Sequence, residues 1–147
     1  DIDTYFFPTK LKAAKSNQSR KKQTIIPLEG ISPNGLIIQI GRNHSQNDFI
    51  SLKKGRKGDI WFHAQECPGS HVVLKTAGRI NEEEDLQAAA DLAAFFSRAR
   101  GNKTTPVVMV PVENLKRIPG SMPGTVNYRD GKIIWGNSSR AMQHIQQ

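Results

Sequence analysis

Cysteine is nearly absent from this sequence, and long apolar runs are missing altogether. The 147 residues include 1 cysteine, which excludes a framework of internal disulfides and is compatible with a reducing cytoplasm. No run is long enough to cross a bilayer and no signal peptide is recognisable, so we expect a cytoplasmic protein without a membrane partner. Because the sequence begins at Asp1 without a methionine, we expect a processed chain or a piece of a larger protein.

Acidic side chains are also scarce compared with basic ones. The chain has 21 lysines and arginines against 13 aspartates and glutamates, which gives a formal net charge of +8. This balance favours a polyanionic partner such as RNA or DNA, while an ordinary basic domain is the plainer alternative. A polar, lysine-rich start leads us to interpret residues 1–24 as a flexible basic arm or linker.

Motifs of the common catalytic and metal centres do not occur. There is no CxxC, HExxH, Walker loop or dinucleotide fingerprint. His63 and His71 flank Cys67 at a spacing that matches zinc ligands poorly. A direct Ser70–His71 couple is disfavoured, because neighbouring side chains of a strand point to opposite faces. We therefore expect no enzyme activity, cofactor or metal, and keep a hydrolase built on Cys67 and the two histidines as the least favoured alternative.

Strand signals recur through the middle of the chain, and we expect a single domain over residues 25–137. Short apolar or alternating runs bounded by glycine, proline or polar residues predict strands. These runs are 35–41, 59–64, 71–75 and 106–112. Asp130-Gly131 predicts a tight turn and a C-terminal hairpin. Residues 138–147 are predicted to be a tail.

One long helix is predicted over residues 82–100. Asn81 can cap its start, acidic residues occupy its first turn, and Arg98 and Arg100 complement the helix dipole in its last turn. Gly101 is suited to end it. Strands on both sides of a single long helix predict an α+β domain with a mixed or antiparallel sheet.

A candidate binding surface begins in the segment DIWFHA. Alternation places Ile60 and Phe62 towards the core and leaves Asp59, Trp61 and His63 together on the other face. An exposed Trp61 could stack on an RNA base, and His63 could stack or form hydrogen bonds. Burial of Trp61 in the core is the alternative.

Polar and basic residues around that strand complete the surface. Asn47 or Asp48 is expected to cap a short helix through Lys54. Asp48 and Asp59 are expected to orient Arg42 or a histidine by charge-assisted hydrogen bonds. Amides and guanidinium groups can contact phosphates and base edges. The residues predicted to bind RNA are Arg42, Asn43, Gln46, Asn47, Lys53, Lys54, Arg56, Lys57, Trp61, His63, Ser70 and His71. Of these, we expect Arg42, Asn43, Asn47, Trp61, His63, Ser70 and His71 to converge in space with Asp48 and Asp59.

Three segments together resemble the NFACT-R domain of ribosome quality-control factors. They are GRNHSQNDFISLK, DIWFHAQECPGSHVVLK and NLKRIPGSMPGTVNYRDGKIIWG, within a resemblance that covers residues 25–137. The resemblance implies a nucleic-acid-binding module with tRNA and large-subunit ribosomal RNA as partners, acting on stalled large ribosomal subunits. We expect a monomer as an isolated domain. Bacterial members are often labelled fibronectin-binding proteins, so a fibronectin-binding or other protein-adhesion module is the alternative.

Overall fold

Short hydrophobic strands form the centre of the fold in this computed structural model, which describes residues 26–145. The strands are Leu28–Ile31 (β1), Ile37–Ile40 (β2), Ile60–Ala64 (β3), Val72–Lys75 (β4), Thr105–Pro111 (β5), Leu115–Arg117 (β6), Val126–Tyr128 (β7) and Lys132–Gly136 (β8). Six of them make an antiparallel sheet in the order β1-β2-β4-β3-β5-β8, while β6 and β7 pair in a separate two-stranded sheet. The predicted α+β class is therefore confirmed.

A single long helix, Glu83–Phe95 (α1), covers one face of the large sheet. Its alanines are completely buried and let the helix backbone approach the sheet closely; a side chain at Gly136 would collide with the carbonyl oxygen of Ala90. Phe62 and Leu92 are among the fully buried residues of this layer. Removal of apolar surface from water, at about 25 cal/mol per Å², is the main force that holds α1 on the sheet.

The second face is covered by a short helical segment and the two-stranded sheet. A helix at His44–Asp48 (α2) runs directly into a π-helical turn at Phe49–Lys53. Ile50 from that turn belongs to a second apolar cluster with Trp61 and Val110 of the large sheet and Leu115 of β6. The large sheet is thus the middle of three layers, and the histidines and tryptophan of the sequence motifs lie on its second face.

The long helix is shorter than the prediction of 82–100. Glu82 caps it, not Asn81, and shares a capping box with Asp85. The chain leaves helical geometry at Phe96, and Ser97 then bridges to Gly69. The backbone after the helix is therefore used to bind the turn before β4, and Arg98, Arg100 and Gly101 lie beyond the helix.

The predicted C-terminal hairpin is wrong in its pairing. A turn occurs at Asp130, where φ is +58°, but β7 pairs with β6 and β8 pairs with β5. Pairing with β5 lets β8 extend the large sheet and bury Ile134 against the α1 layer. A hairpin with β7 would leave the edge of β5 unpaired.

The segment predicted as a tail is folded as far as the structure describes it. Ser138–His144 form a 3₁₀ helix against α1, with Ala141 completely buried. Asp91 of α1 accepts hydrogen bonds from the backbone N–H of Asn137 at 2.8 Å and from Nε of Arg140 at 3.0 Å. One buried carboxylate therefore holds a segment that lacks a hydrophobic pattern. The predicted arm, residues 1–24, lies outside the described residues, as do Gln146 and Gln147 of the predicted tail.

No helix among the described residues is both long and apolar enough to pass through a membrane.

We expect Asp91→Ala to lower the free energy of unfolding by about 2–3 kcal/mol, because hydrogen bonds to a charged group are worth about 1.5–3 kcal/mol. Urea unfolding followed by circular dichroism measures the change. Glu84→Ala removes an exposed acid of the same helix and is the control, with an expected change within about 0.5 kcal/mol. Equal stability of the two variants would contradict the anchoring role of Asp91.

Candidate nucleic-acid interface

A groove of about 410 Å³ opens on the second face of the sheet, beside the end of β3. Three histidines and two larger aromatic residues are among those that line it: His44, His63, His71, Trp61 and Tyr128. The rings of Trp61 and His63 are stacked, with centroids 5.7 Å apart and planes 7° from parallel. Strand alternation predicted that these two side chains share a face, and they do.

Trp61 lies in the core beneath this groove, not at the surface. It is 3% exposed, and His71 meets its ring edge-on at a centroid distance of 5.1 Å. Tyr128 covers it from β7 at 5.7 Å. The expectation of an exposed Trp61 that stacks on a base is therefore corrected to the alternative, a core residue, because the π-helical turn and the two-stranded sheet cover this face.

His63 faces two backbone acceptors. Its Nδ1 lies 2.7 Å from the carbonyl oxygen of Ala64, and its Nε2 lies 3.1 Å from that of Gly69. Burial lowers the pKa of His63, although both backbone contacts oppose this by favouring the protonated ring. The net shift is downward from 6.5, so the ring is mainly neutral at pH 7 and donates to one carbonyl at a time.

His71 is buried deeper and is fixed by its neighbours. Its Nδ1 lies 2.8 Å from Oγ of Ser51, and its backbone N–H donates to Oδ1 of Asn47 at 3.1 Å. Burial, and then the nearby charges of His63 and His44, hold the pKa of His71 well below 6.5. A neutral imidazole in this place packs against Trp61 without the cost of a buried charge.

Ser51 and His71 are in hydrogen-bond contact, but a substrate has no access to the serine hydroxyl. Ser51 is 1% exposed and does not line the groove, so a substrate cannot reach its hydroxyl beside His71. Ser70 is completely buried, and its N–H donates to the carbonyl oxygen of Phe96 at 2.8 Å. Its predicted contact with RNA is corrected, because this backbone bond ties it to the end of the long helix.

The amides predicted to contact RNA hold the backbone instead. Oδ1 of Asn43 accepts from the N–H of Gln46 at 2.8 Å and caps α2, a role that the sequence assigned to Asn47 or Asp48. Oε1 of Gln46 accepts from the N–H of Arg42 at 2.9 Å. Asn47 is 1% exposed, and its Oδ1 accepts the hydrogen bond from the backbone N–H of His71. These side chains fix the position of α2 against β4 and thereby shape one wall of the groove.

Asp48 orients an arginine that sequence reasoning did not pair with it. Nη1 of Arg117 lies 2.7 Å from Oδ1 of Asp48, and Nη2 lies 3.2 Å from Oδ2. The N–H of Gly124 donates to Oδ1 at 3.1 Å. Burial raises the pKa of Asp48, but these hydrogen bonds and the charges of Arg117 and Lys53 outweigh it and leave the pKa below 3.8. The pairing with Arg42 or a histidine is thus corrected: Asp48 closes the loop 118–125, whose last residues, Gly124 and Thr125, line the groove.

Asp59 lies at the opposite end of β3 and does not join the groove. It accepts hydrogen bonds from the N–H of Thr76 at 3.1 Å and of Arg56 at 3.0 Å, and it forms a close ion pair with Lys75. Four residues of strand, about 13 Å, separate it from His63. Of the residues expected to converge, Asn47, Trp61, His63 and His71 line the groove, whereas Arg42, Asn43 and Ser70 do not. The expected convergence fails for Asp59, which anchors the basic loop.

The basic loop 53–57 is exposed at that end of the strand. Its four cations are Lys53, Lys54, Arg56 and Lys57, and each is exposed to solvent. The polar surface is thus divided into two parts, the groove and the basic loop, at the two ends of β3. No group of three His, Cys, Asp or Glu side chains in the described part of the chain is placed to hold a metal ion.

Comparison with known proteins identifies relatives of this chain. Residues 28–130 match the family model described as the NFACT protein RNA binding domain. A protein of Streptococcus suis named Rqc2 homolog RqcH is 42% identical over 98 residues, 67% of this chain and 18% of that protein. Rqc2 homolog RqcH of Bacillus subtilis is 32% identical over 117 residues, 80% of this chain and 20% of that protein. The chain spans about a fifth of the length of these curated relatives.

A solved structure shares the fold. The C-terminal part of the fibronectin/fibrinogen-binding protein of Streptococcus suis matches with a TM-score of 0.76 and 35% identity, over 82% of this chain and 50% of that chain. The resemblance inferred from the three sequence segments is confirmed by the family match.

We expect Trp61→Ala to lower the free energy of unfolding by roughly 3–5 kcal/mol, as truncation of a buried tryptophan does. Trp61→Phe is the matched variant and should cost less, because Nε1 of Trp61 has no hydrogen-bond partner among the described residues. Thermal melting of both variants measures the effect. A Trp61→Ala protein as stable as the unmodified chain would show that the ring is not part of the core.

We expect the chain to lose stability below about pH 6.5, the usual pKa of an unfolded histidine. His63 and His71 have lower pKa values when folded, so their contribution is present above that pH and is lost as pH falls towards the folded values. Midpoints of urea unfolding, measured from about pH 5 to about pH 8, test this dependence of stability on pH.

His71→Asn should flatten that dependence, because the amide can still meet Ser51 but does not titrate. His144→Asn, in the 3₁₀ helix on the other side of the sheet, is the control and should retain the dependence on pH. Identical pH profiles for the two variants would count against the buried neutral His71.

Proposed function

The chain belongs to the NFACT-R family of RNA-binding domains, and from that premise we propose that it binds tRNA or ribosomal RNA as one module of a ribosome quality-control factor. Its RqcH relatives support the assignment to ribosome quality control. The site of action is the stalled large ribosomal subunit, in the cytoplasm. The chain acts as a monomer and without a cofactor.

The basic loop carries the proposal. Four cations lie within residues 53–57, and the chain has no carboxylate between Phe49 and Gly58. Asp59 fixes the loop through the N–H of Arg56, and the carbonyl oxygen of Lys54 accepts a hydrogen bond from Nζ of Lys75 at 2.9 Å. Cations on an anchored loop meet phosphates with less loss of conformational freedom than cations on a free arm.

Binding to phosphates supplies affinity without sequence preference. Phosphate contacts fix the position of a protein on RNA, while recognition of bases requires accessible base edges or faces. Two of the amides that could have read bases, Gln46 and Asn47, are buried in the framework of the groove. The proposed module therefore selects RNA mainly by charge and shape.

We also propose that the chain is not an enzyme. The buried Ser51–His71 contact has no route for a substrate, and both groove histidines with a resolved pKa shift are held neutral by burial. These features support a structural role for the polar groups beneath the groove. They give no support to a hydrolase built on His63, Cys67 and His71.

Protein adhesion is the second candidate, on the single observation that the Streptococcus suis structure with the same fold is named for fibronectin and fibrinogen. A chain of net charge +8 also attracts acidic proteins. Saturable fibronectin binding at physiological salt would favour this candidate, and competition with tRNA shows whether the same surface is used.

Replacement of Lys53, Lys54, Arg56 and Lys57 by alanine should weaken binding to tRNA and to unrelated structured RNA alike. The dependence of log Kd on log salt should also become shallower by about 0.7–0.9 for each phosphate contact removed. Fluorescence anisotropy over a salt series measures both quantities. The charge-preserving variant with Lys and Arg exchanged at these four positions is the control and should retain most of the slope. RNA affinity that is independent of salt, or unchanged in the alanine variant, would refute the proposal.

A further inference from the structure

One part of the large sheet is uncovered on the same face as Trp61. β8 is an edge strand of that sheet. Ile134 points towards the long helix, so its neighbours Ile133 and Trp135 point to the opposite face. Ile133 is 45% exposed and Trp135 is 59% exposed. Trp135 is therefore accessible to solvent, whereas Trp61 is buried.

Tyr128 connects these two residues with the groove. It is 46% exposed and lines the groove together with Val108. Register places Val108 between His63 of β3 and Ile133 of β8. Tyr128, Ile133 and Trp135 are thus the exposed residues on this side of the sheet, around the buried Val108, and we term these three residues the aromatic face.

Cations border the aromatic face at both ends. Thr105 pairs with Gly136, so the loop 98–104 lies at the end that carries Trp135. The chain has three cations and no carboxylate between Leu92 and Val112. The exposed cations at the two ends are Arg98, Lys103 and Arg129, and the exposed acids nearby are Glu66, Glu113 and Asp130.

The loop 98–104 also reaches the rim of the groove itself. The N–H of Arg98 donates to the carbonyl oxygen of Pro68 at 2.9 Å, and Pro68 lines the groove. The positive charge of this loop therefore accompanies both the groove and the aromatic face. This charge is separate from that of the basic loop 53–57, at the other end of β3.

We propose that the aromatic face stacks unpaired bases of an RNA whose phosphates are held by the bordering cations. The inference rests on the proposed function and adds the class of ligand, a single-stranded or looped segment. Bases within a duplex hide their faces, whereas unpaired bases stack on exposed tyrosine and tryptophan rings without strong sequence preference. An apolar protein surface would match the rings but not the positive charge of the loop 98–104, which contains no carboxylate, and RNA matches both.

The test compares a single-stranded oligoadenylate with a fully paired RNA duplex, using the whole 147-residue chain. Trp135→Ala should raise the Kd for the single strand by roughly 5- to 150-fold, the loss expected for one base–aromatic stack, and leave the Kd for the duplex unchanged. Trp135→Phe should recover most of the affinity, since phenylalanine also stacks. Ile80→Ala removes another exposed apolar residue, 88% exposed, and is the control for nonspecific loss of surface.

Melting temperatures should be the same for all of these variants, because each side chain is exposed. Binding of the single strand should also quench tryptophan fluorescence in the unmodified chain, and this quenching should disappear in Trp135→Phe. Unchanged affinity of Trp135→Ala for the single strand, with RNA binding otherwise intact, overturns the aromatic face and leaves the proposed function standing. Failure of the unmodified chain to bind either RNA overturns both. A Trp135→Ala change that abolishes self-association without affecting RNA binding assigns the face to a second copy of the chain.

Discussion

The packing of Trp61 is the interaction on which the second half of this structure depends. The ring lies on β3, beneath Ile50 of the π-helical turn, and contacts Tyr128 of the two-stranded sheet. The large sheet, the π-helical turn and the two-stranded sheet therefore meet at one side chain, and the stacked His63 and the edge-on His71 extend that packing to the wall of the groove. Both histidines must be neutral for this arrangement, since a buried charge beside the tryptophan would be costly. The groove is consequently a product of core packing and not a collection of independent polar groups.

Two aspartates connect this core to the surfaces that we propose for RNA. Asp48 holds Arg117 and the N–H of Gly124 and so closes the loop beside the groove. Asp59 performs a similar task for the basic loop at the other end of β3. Buried carboxylates that accept several hydrogen bonds convert flexible connections into fixed ones. In this basic chain, the buried carboxylates of Asp48 and Asp59 thus fix the positions of nearby cationic residues.

The sequence predicted the framework of the fold well, because its signals are local. Alternation in β3 predicted that Trp61 and His63 share a face, and the acidic start of the long helix was correct within one residue. Alternation cannot reveal which layer covers a face, and for that reason the exposure of Trp61 was mispredicted. Pairing over long separations was likewise invisible: β8 joins β5 instead of its neighbour in sequence, and Asp48 finds Arg117. Trp135 was missed as a candidate because its segment was interpreted as half of a hairpin, although an edge strand with an outward tryptophan has the same alternation.

The central claim is that RNA contacts an anchored cationic loop and an exposed aromatic face while Trp61 remains core. Two-dimensional ¹⁵N NMR during titration with a tRNA-derived stem-loop tests it most directly, because the chain has 2 tryptophans and thus two indole N–H signals. We predict shifts at the indole of Trp135 and at the amides of residues 53–58, with the indole of Trp61 nearly unchanged. Shifts confined to the long helix and the 3₁₀ helix on the other side of the sheet would contradict it.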